Sequence, residues 1–407
     1  MKYKTLLASL LILFCFGSCQ KQSPIKLLNT IQEEEVYIPL VDNNREVVQV
    51  IKIIIKNEQM EVLATYPLYY PLESLDENEA AYLTHSICSE NPNLCEDIKL
   101  RFSLWDIYLS PDKSKLGWRE NLSWCSGTTC YGLDRIISYI SNKNTKQTLI
   151  ELPYHADLVT RQNLSTFLWS PNNLQIAFAY FSDDSLRMKY VDSETRLIVD
   201  VGDGSTPFDW SPDGKHLAST LYSPLNNQWE IYIIDLSGAK TIFPLPNLKI
   251  IESLDWSPDG TKIAISAWDG QGDEKPKFNI YILDLDSGDM TNISPKEDFS
   301  YRKVQWSPDG KILGTLSSSI NIENSIQLHF LDTNSWEVMS IFESGDSDTS
   351  WQWSRNSQAV LSRTIDNGSV KVVIYNMVDQ NISLVNFPKQ LLSEIENGNI
   401  EIGLPAW

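Results

Sequence analysis

The residues able to carry catalysis in this chain are few and scattered. There are four histidines, at His85, His155, His216 and His329. A nucleophilic site needs a base held beside a nucleophile and oriented by a third group. His329 occupies the place that Tyr232 and Tyr281 fill in parallel segments, so it reads as a packed strand position. His216 matches Lys115, Gln175 and Lys262 and reads as surface. His85 and His155 have no evident companion. No Ser/His/Asp or Cys/His constellation emerges, and no Gly-x-Ser-x-Gly elbow is present. No catalytic, metal-ligating or cofactor-binding residue is therefore assigned. Aspartate recurs more regularly, at Asp112, Asp213, Asp259 and Asp309, each directly after Ser-Pro. A ring of carboxylates would suit metal or acid–base chemistry. The last three each stand one residue before Gly, however, where Asp bonds its own turn, and a structural role is expected for all four.

Those aspartates belong to a phrase, Trp-Ser-Pro-Asp-Gly, that stands intact at 210–214, 256–260 and 306–310. It is eroded at 169–173 and 353–357, and more degenerate at Leu109-Ser110-Pro111-Asp112. Successive Trp positions from Trp169 to Trp353 lie 41, 46, 50 and 47 residues apart. That period suits one four-stranded blade of a β-propeller. A first strand ends at the Trp, the turn reverses the chain, and a second strand follows. Seven residues after the Trp position comes an apolar residue, from Leu116 to Val360. The eighth is small in five copies (Gly117, Ala177, Ala218, Ala264, Gly314) but Leu361 in the last. Third strands read 230–236, 279–285 and 327–332. The fold class is all-β: six repeats of four strands, closed by a seventh blade built from both termini. A six-bladed ring with merely extended ends is the alternative. In the closing blade, 402–407 supplies a first strand, and 36–40, 47–55 and 61–65 supply its partners.

Phrase and strand pattern together resemble the repeats of TolB-type β-propellers. They are also similar to the propellers that precede the hydrolase domain in prolyl oligopeptidase and dipeptidyl peptidase relatives. The resemblance runs from about Leu100 onward and rests on turn and packing residues, so it speaks for fold more than function. The chain departs from the first family in lacking its N-terminal α/β domain, and from the second in lacking room for a hydrolase after Trp353. TolB itself is a periplasmic partner of envelope-spanning assemblies, so the resemblance implies a protein partner.

The first residues indicate an address. A basic start, Met1-Lys2-Tyr3-Lys4, precedes an apolar run, Leu6–Phe16, too short to span a bilayer. It ends Phe16-Gly17-Ser18-Cys19, which resembles a bacterial lipobox. The resemblance implies cleavage before Cys19, acylation of that residue and anchoring through its lipid. The expected plan is a signal peptide at 1–18, a tether at 19–35 and a propeller at 36–407. A small insert at 72–97 interrupts the propeller, helix-compatible around 77–82. The expected location is extracytoplasmic, anchored to the cell membrane or outer membrane. An oxidising compartment favours disulfides among Cys88, Cys95, Cys125 and Cys130. The local pairs Cys88–Cys95 and Cys125–Cys130 are favoured over a metal site, whose spacing would be poor. With 33 basic against 53 acidic residues, the net charge of −20 argues against a nucleic-acid partner.

In each blade the second-to-third connections leave on the face opposite the Ser-Pro-Asp-Gly turns. They are irregular, as binding loops are. Blade one carries 120–134 with Trp124 and Tyr131, and blade three carries 222–228 with Tyr222. Blade four carries 268–274 with Trp268, Asp269, Asp273 and Glu274. These residues form the candidate ligand face. Ca²⁺ at the acidic loop is a lesser alternative, since no ligand register is recognisable. The favoured function is a non-catalytic, membrane-anchored scaffold that binds a protein or glycan of the bacterial envelope. The alternative is an envelope enzyme, a glycan lyase or hydrolase, with carboxylates or histidines gathered around the channel.

Overall fold

A computed structural model describes residues 35–56, 59–71, 74–75, 77–90, 98–126, 129–140, 145–157, 164–182, 185–270, 276–322, 326–343, 351–366, 369–397, 399–402 and 405–406. The leader, Cys19, the tether, Cys95, Asp273 and Glu274 lie outside them, as do the side chains of Cys130 and His155. Among the described residues there are seven antiparallel sheets, six four-stranded and one five-stranded. Blade four shows the pattern: Ile250–Trp256, Lys262–Trp268, Asn279–Asp284 and Met290–Asn292 form a meander from the inner to the outer strand.

The repeated turn explains why each first strand ends where it does. Ser211 Oγ donates to Asp213 Oδ1 at 2.6 Å and accepts the His216 N–H at 2.9 Å. Asp213 Oδ1 also accepts the Lys215 N–H at 3.1 Å. Gly214 N–H returns to the Ser211 carbonyl at 2.8 Å with φ +67°, where a side chain is disfavoured. Ser257–Gly260 and Ser307–Gly310 repeat this geometry. The eroded copies keep it with other residues. Asn172 and Asn356 accept from Ser170 and Ser354, and Asn173 and Ser357 take the positive φ.

Each Trp packs across the seam between blades, which is why the eighth position stays small. A Cβ added at Gly117 in blade one would lie 2.9 Å from Trp169 Nε1 in blade two. Trp210 Nε1 donates to the Leu168 carbonyl of the preceding blade at 3.1 Å, and Trp306 Nε1 to the Asp255 carbonyl at 3.2 Å. Trp256 clusters with Ala218 and Ile231 of blade three, and Trp353 with Leu316 and Phe330 of blade five. The exception, Leu361, faces the closing blade and packs in a cluster with Val36, Ile38 and Ile402.

That closing blade is built from both ends of the chain. Ile400–Ile402 pairs antiparallel with Glu35–Asp42, which pairs with Val47–Ile54 and then Gln59–Pro67. Tyr37 and Ala406 exchange two backbone hydrogen bonds at 2.7 and 2.8 Å. The ring therefore has seven blades. Its last inner strand starts at Ile400, two residues before the stretch expected from sequence, because Ile400 and Ile402 both fill the seam with blade six.

The insert holds one helix, α1 (Glu77–Glu90), longer than the 77–82 segment expected. Leu83 and Ile87, four apart on one stripe, are buried in the core that joins blades seven and one. Glu79 pairs with Arg135 of blade one at 2.5 Å, and Glu151 pairs with the same guanidinium. A second helix, α2 (Lys389–Glu396), lies in the crossover from blade six to blade seven. No helix among the described residues is long and apolar enough to cross a membrane.

Candidate functional site

The meander sorts connections by face. The Ser-x-Asp turns and the third-to-fourth turns leave on one side. The second-to-third hairpins and the blade-to-blade crossovers, with α1 and α2, leave on the other. The second is the loop face.

On the loop face, blades three and four bring several expected residues together. Tyr222 pairs across its hairpin with Trp229, with ring centroids 5.7 Å apart. The Tyr222 hydroxyl donates to Asn227 Oδ1 at 2.7 Å. Trp229 Nε1 donates to the Lys249 carbonyl at 2.9 Å, and the Lys249 N–H donates to the Trp268 carbonyl at 2.7 Å. Tyr222, Trp268 and Asp269 thus belong to one surface. Trp229 and Lys249 join it, although neither stood out in the sequence. Asp269 opens onto a polar cavity of about 450 Å³, also lined by Lys277, Asn279, Ser294, Lys296 and Glu297. Burial, then the charge of Asp269, raises the pKa of the Tyr281 hydroxyl. The far wall is tied to blade five, where the Ile320 N–H donates to the Asp298 carbonyl at 2.9 Å. Large apolar side chains rim this surface: Leu225 is 98% exposed, Ile322 64% and Ile320 56%.

The blade-one candidates sit elsewhere, with blade two between them and Tyr222. The stretch 120–134 is not a loop. Lys115–Ser126 and Thr129–Ile140 form one continuous ladder, out to Ser126 opposite Thr129. Alternating apolar residues such as Leu122 and Leu133 carry the strands on past the usual blade edge. Tyr131 is 2% exposed, and Trp124 packs against the same core, with ring centroids 6.3 Å apart. Cys125 stands opposite Cys130 in that ladder, and Cys88 and Cys125 are both disulfide-bonded.

The remaining chemistry is largely internal. His329 is fully buried against Phe299 and Tyr301, with Nε2 2.8 Å from Gln327 Oε1. Burial, then the charge of Lys296, pushes its pKa down to about 4. His216 lies partly exposed, 3.9 Å from Asp213, and His85 is exposed on α1. Asp213 is held below the usual carboxylate range, first by the Ser211 hydrogen bond. A second cavity, about 740 Å³, opens between α1 and blade one beside Arg135, whose guanidinium Glu79 and Glu151 already claim. Among the described residues no group of three His, Cys, Asp or Glu side chains is arranged to hold a metal.

One pair escaped sequence reasoning. Asp209 and Asp255 stand directly before Trp210 and Trp256, on inner strands whose free edge has no further strand to bond. Asp209 accepts the Trp210 N–H and, across the seam, the Trp256 N–H, both at 2.8 Å. Asp255 accepts the Trp306 N–H of the next blade at 2.6 Å. Burial pushes Asp209 up to about 7, and burial plus the charge of Asp209 raises Asp255 well above its ordinary value. The signal available was an Asp-Trp doublet present in two copies, replaced by Gln305-Trp306 and Gln352-Trp353 in the next two.

A family model described as the TolB beta propeller domain, PD40, matches residues 156–407. A segment of 143 residues is 28% identical to dipeptidyl-peptidase 5 of Porphyromonas gingivalis. It spans 33% of this chain but only 19% of that relative. Among solved structures, an oligogalacturonate lyase in complex with manganese superposes with TM-score 0.54 at 14% identity, over 72% of this chain and 82% of that one. The β-propeller domain of the trilobed protease from Pyrococcus furiosus gives 0.53 at 10% identity, over 87% and 92%. At these identities the likeness is one of fold.

Proposed function

Because the chain belongs to the TolB β-propeller domain family, we propose that it is a non-catalytic binding scaffold of the bacterial envelope. It sits outside the cytoplasm, anchored by lipid at Cys19. It presents the loop face of blades three to five to a partner protein. The observation that carries this reading is the continuous surface from Tyr222 through Trp268 to Ile322. There, Tyr222, Leu225, Ile320 and Ile322 are exposed, and Trp229 and Trp268 half-buried, beside a polar cavity. Exposed apolar area rimmed by polar groups is the usual mark of a docking surface. The insert and the blade-one hairpin would be stiffened by the pairs Cys88–Cys95 and Cys125–Cys130.

The raised Asp209 and Asp255 favour a second reading, an envelope enzyme with a glycan lyase or hydrolase site in the channel. Against it, three of their four carboxylate oxygens already accept backbone N–H groups, two of them across blade seams. They act on the fold, leaving little for a substrate.

The test is proximity crosslinking in intact envelopes, comparing the wild type with a Tyr222→Ala, Trp268→Ala variant. A defined protein captured by the wild type and lost in the variant supports the scaffold and its face. Equal capture by both moves the contact to α1 and the blade-one hairpin. A Cys19→Ser variant recovered in the soluble extracytoplasmic fraction supports the anchor. Retention in the membrane counts against it.

A further inference from the structure

Several lysines of this chain lie against its carboxylates. Lys52 pairs with Glu35 and Glu61, Lys146 with Glu120, and Lys262 with Asp284. Lys277 and Lys296, like Lys249 on the same surface, are in no such pair among the described residues. Lys277 and Lys296 both line the blade-four cavity. Lys296 lies over the face of Phe299, at 5.5 Å, and its charge reaches His329. In a chain of net charge −20, these two lysines line one cavity together with the carboxylates of Asp269 and Glu297.

We propose that this cavity binds one carboxylate of an acidic peptide segment from the partner, with apolar side chains beside it resting on Leu225, Ile320 and Ile322. The proposal rests on the scaffold reading and names the chemistry of its partner. Charge complementarity selects the occupant. Lys277 and Lys296 supply donors for a carboxylate, and charge-assisted hydrogen bonds are the strong ones. Asn279 and Ser294 add polar groups that can orient it. Two acidic residues, Asp269 and Glu297, share the lining. With the negative field of the whole chain, they penalise a polyanion and admit a single acidic side chain. The exposed aliphatic rim then demands apolar neighbours on the segment.

The experiment is panning of the full chain against a random peptide library displayed on phage, followed by affinity measurement on the selected peptides. The expected enrichment is an Asp or Glu flanked by aliphatic or aromatic residues. Lys277→Ala and Lys296→Ala should each weaken those peptides about tenfold. The Lys277→Glu, Lys296→Glu double variant should shift enrichment to Lys and Arg. Selected peptides without an acidic residue, or affinities that ignore both lysines, overturn the subsite. If those affinities still fall in the Tyr222→Ala, Trp268→Ala variant, the scaffold reading survives that loss. No selected peptide at all also overturns the subsite, and the envelope crosslinking then decides the scaffold reading separately.

Discussion

The repeat frame and the loop face are made from the same residue types with opposite fates. In the frame, Trp210 and Trp306 bury their rings in blade seams and bond their indole N–H groups to the preceding blade. Asp213 is consumed by its own turn, and Lys262 lies against Asp284. On the loop face, Trp229 and Trp268 stand at hairpin ends, Asp269 lines a cavity, and Lys277 has no carboxylate partner among the described residues. The difference shows where to look for function in a repeat protein. Groups whose bonding capacity the fold already uses hold the ring. On the loop face, Lys277 and Lys296 keep a charge that no carboxylate among the described residues claims.

Substitutions of one residue type in both regions test this contrast most strongly. Trp306→Ala should cost about 4 kcal/mol of stability by chemical denaturation, since it empties a packed seam. Trp268→Ala should cost about 1 kcal/mol or less while abolishing partner capture. Equal losses of stability would erase the distinction between frame and face.

Acid should weaken the frame through His329. Its folded pKa, about 4, lies below the ordinary 6.5, so the folded state binds that proton less readily than the unfolded chain. The stability tied to the neutral ring is complete above pH 6.5 and is lost as pH falls through 4, up to about 3 kcal/mol. Asp209 acts in the opposite sense. Its pKa is raised to about 7, so its ionised form burdens the fold at neutral pH and protonation relieves that burden on acidification. Comparing the pH dependence of unfolding in wild type and His329→Phe isolates the histidine contribution. Identical slopes between pH 6.5 and 4 would remove His329 from the account.

Gly117→Ala should destabilise by about 2 kcal/mol, because the new Cβ meets Trp169 at 2.9 Å and Phe167 at 3.0 Å. A thermal melt unchanged from wild type would mean that the seam has slack. The smallest expected effect is in the turn. Asp213→Ala should cost about 1 kcal/mol, and Asp213→Asn less, because Asn172 and Asn356 already make the same bonds in their copies. A cost for Asn as large as that for Ala would show that charge matters there, and not only the acceptor.

Much of the frame was legible because it is written several times over. Ser-Pro-Asp-Gly, the apolar seventh position and the small eighth position each answer a local or next-blade constraint that recurs in most repeats, Leu361 being the exception at the eighth position. The closing strands were legible from their β-branched composition. The blade-one hairpin was misread as a loop because Asn121, Ser123 and Asp134 look like turn residues singly, while the pairing that keeps them extended is visible only across the ladder. Aromatics in irregular segments suggested the candidate face, and the structure puts Tyr222 and Trp268 on one surface and Trp124 and Tyr131 on another. Tyr131 shows the limit of that signal, since an aromatic in such a segment can equally be core.

By itself the sequence determined the period, the turn chemistry, the all-β class and the two termini that close the ring, because these follow from contacts repeated at fixed spacing. Only the tertiary structure decided three other things: that Asp209 and Asp255 tie successive blades together, that Tyr222 and Trp268 share a surface without Trp124, and that Lys277 and Lys296 meet in one cavity. Each of these depends on residues 19 to 51 positions apart being brought together by the fold. Spacing reports what a residue does to its own turn. Which side chains remain unclaimed after the ring closes is set by distances that no single repeat contains.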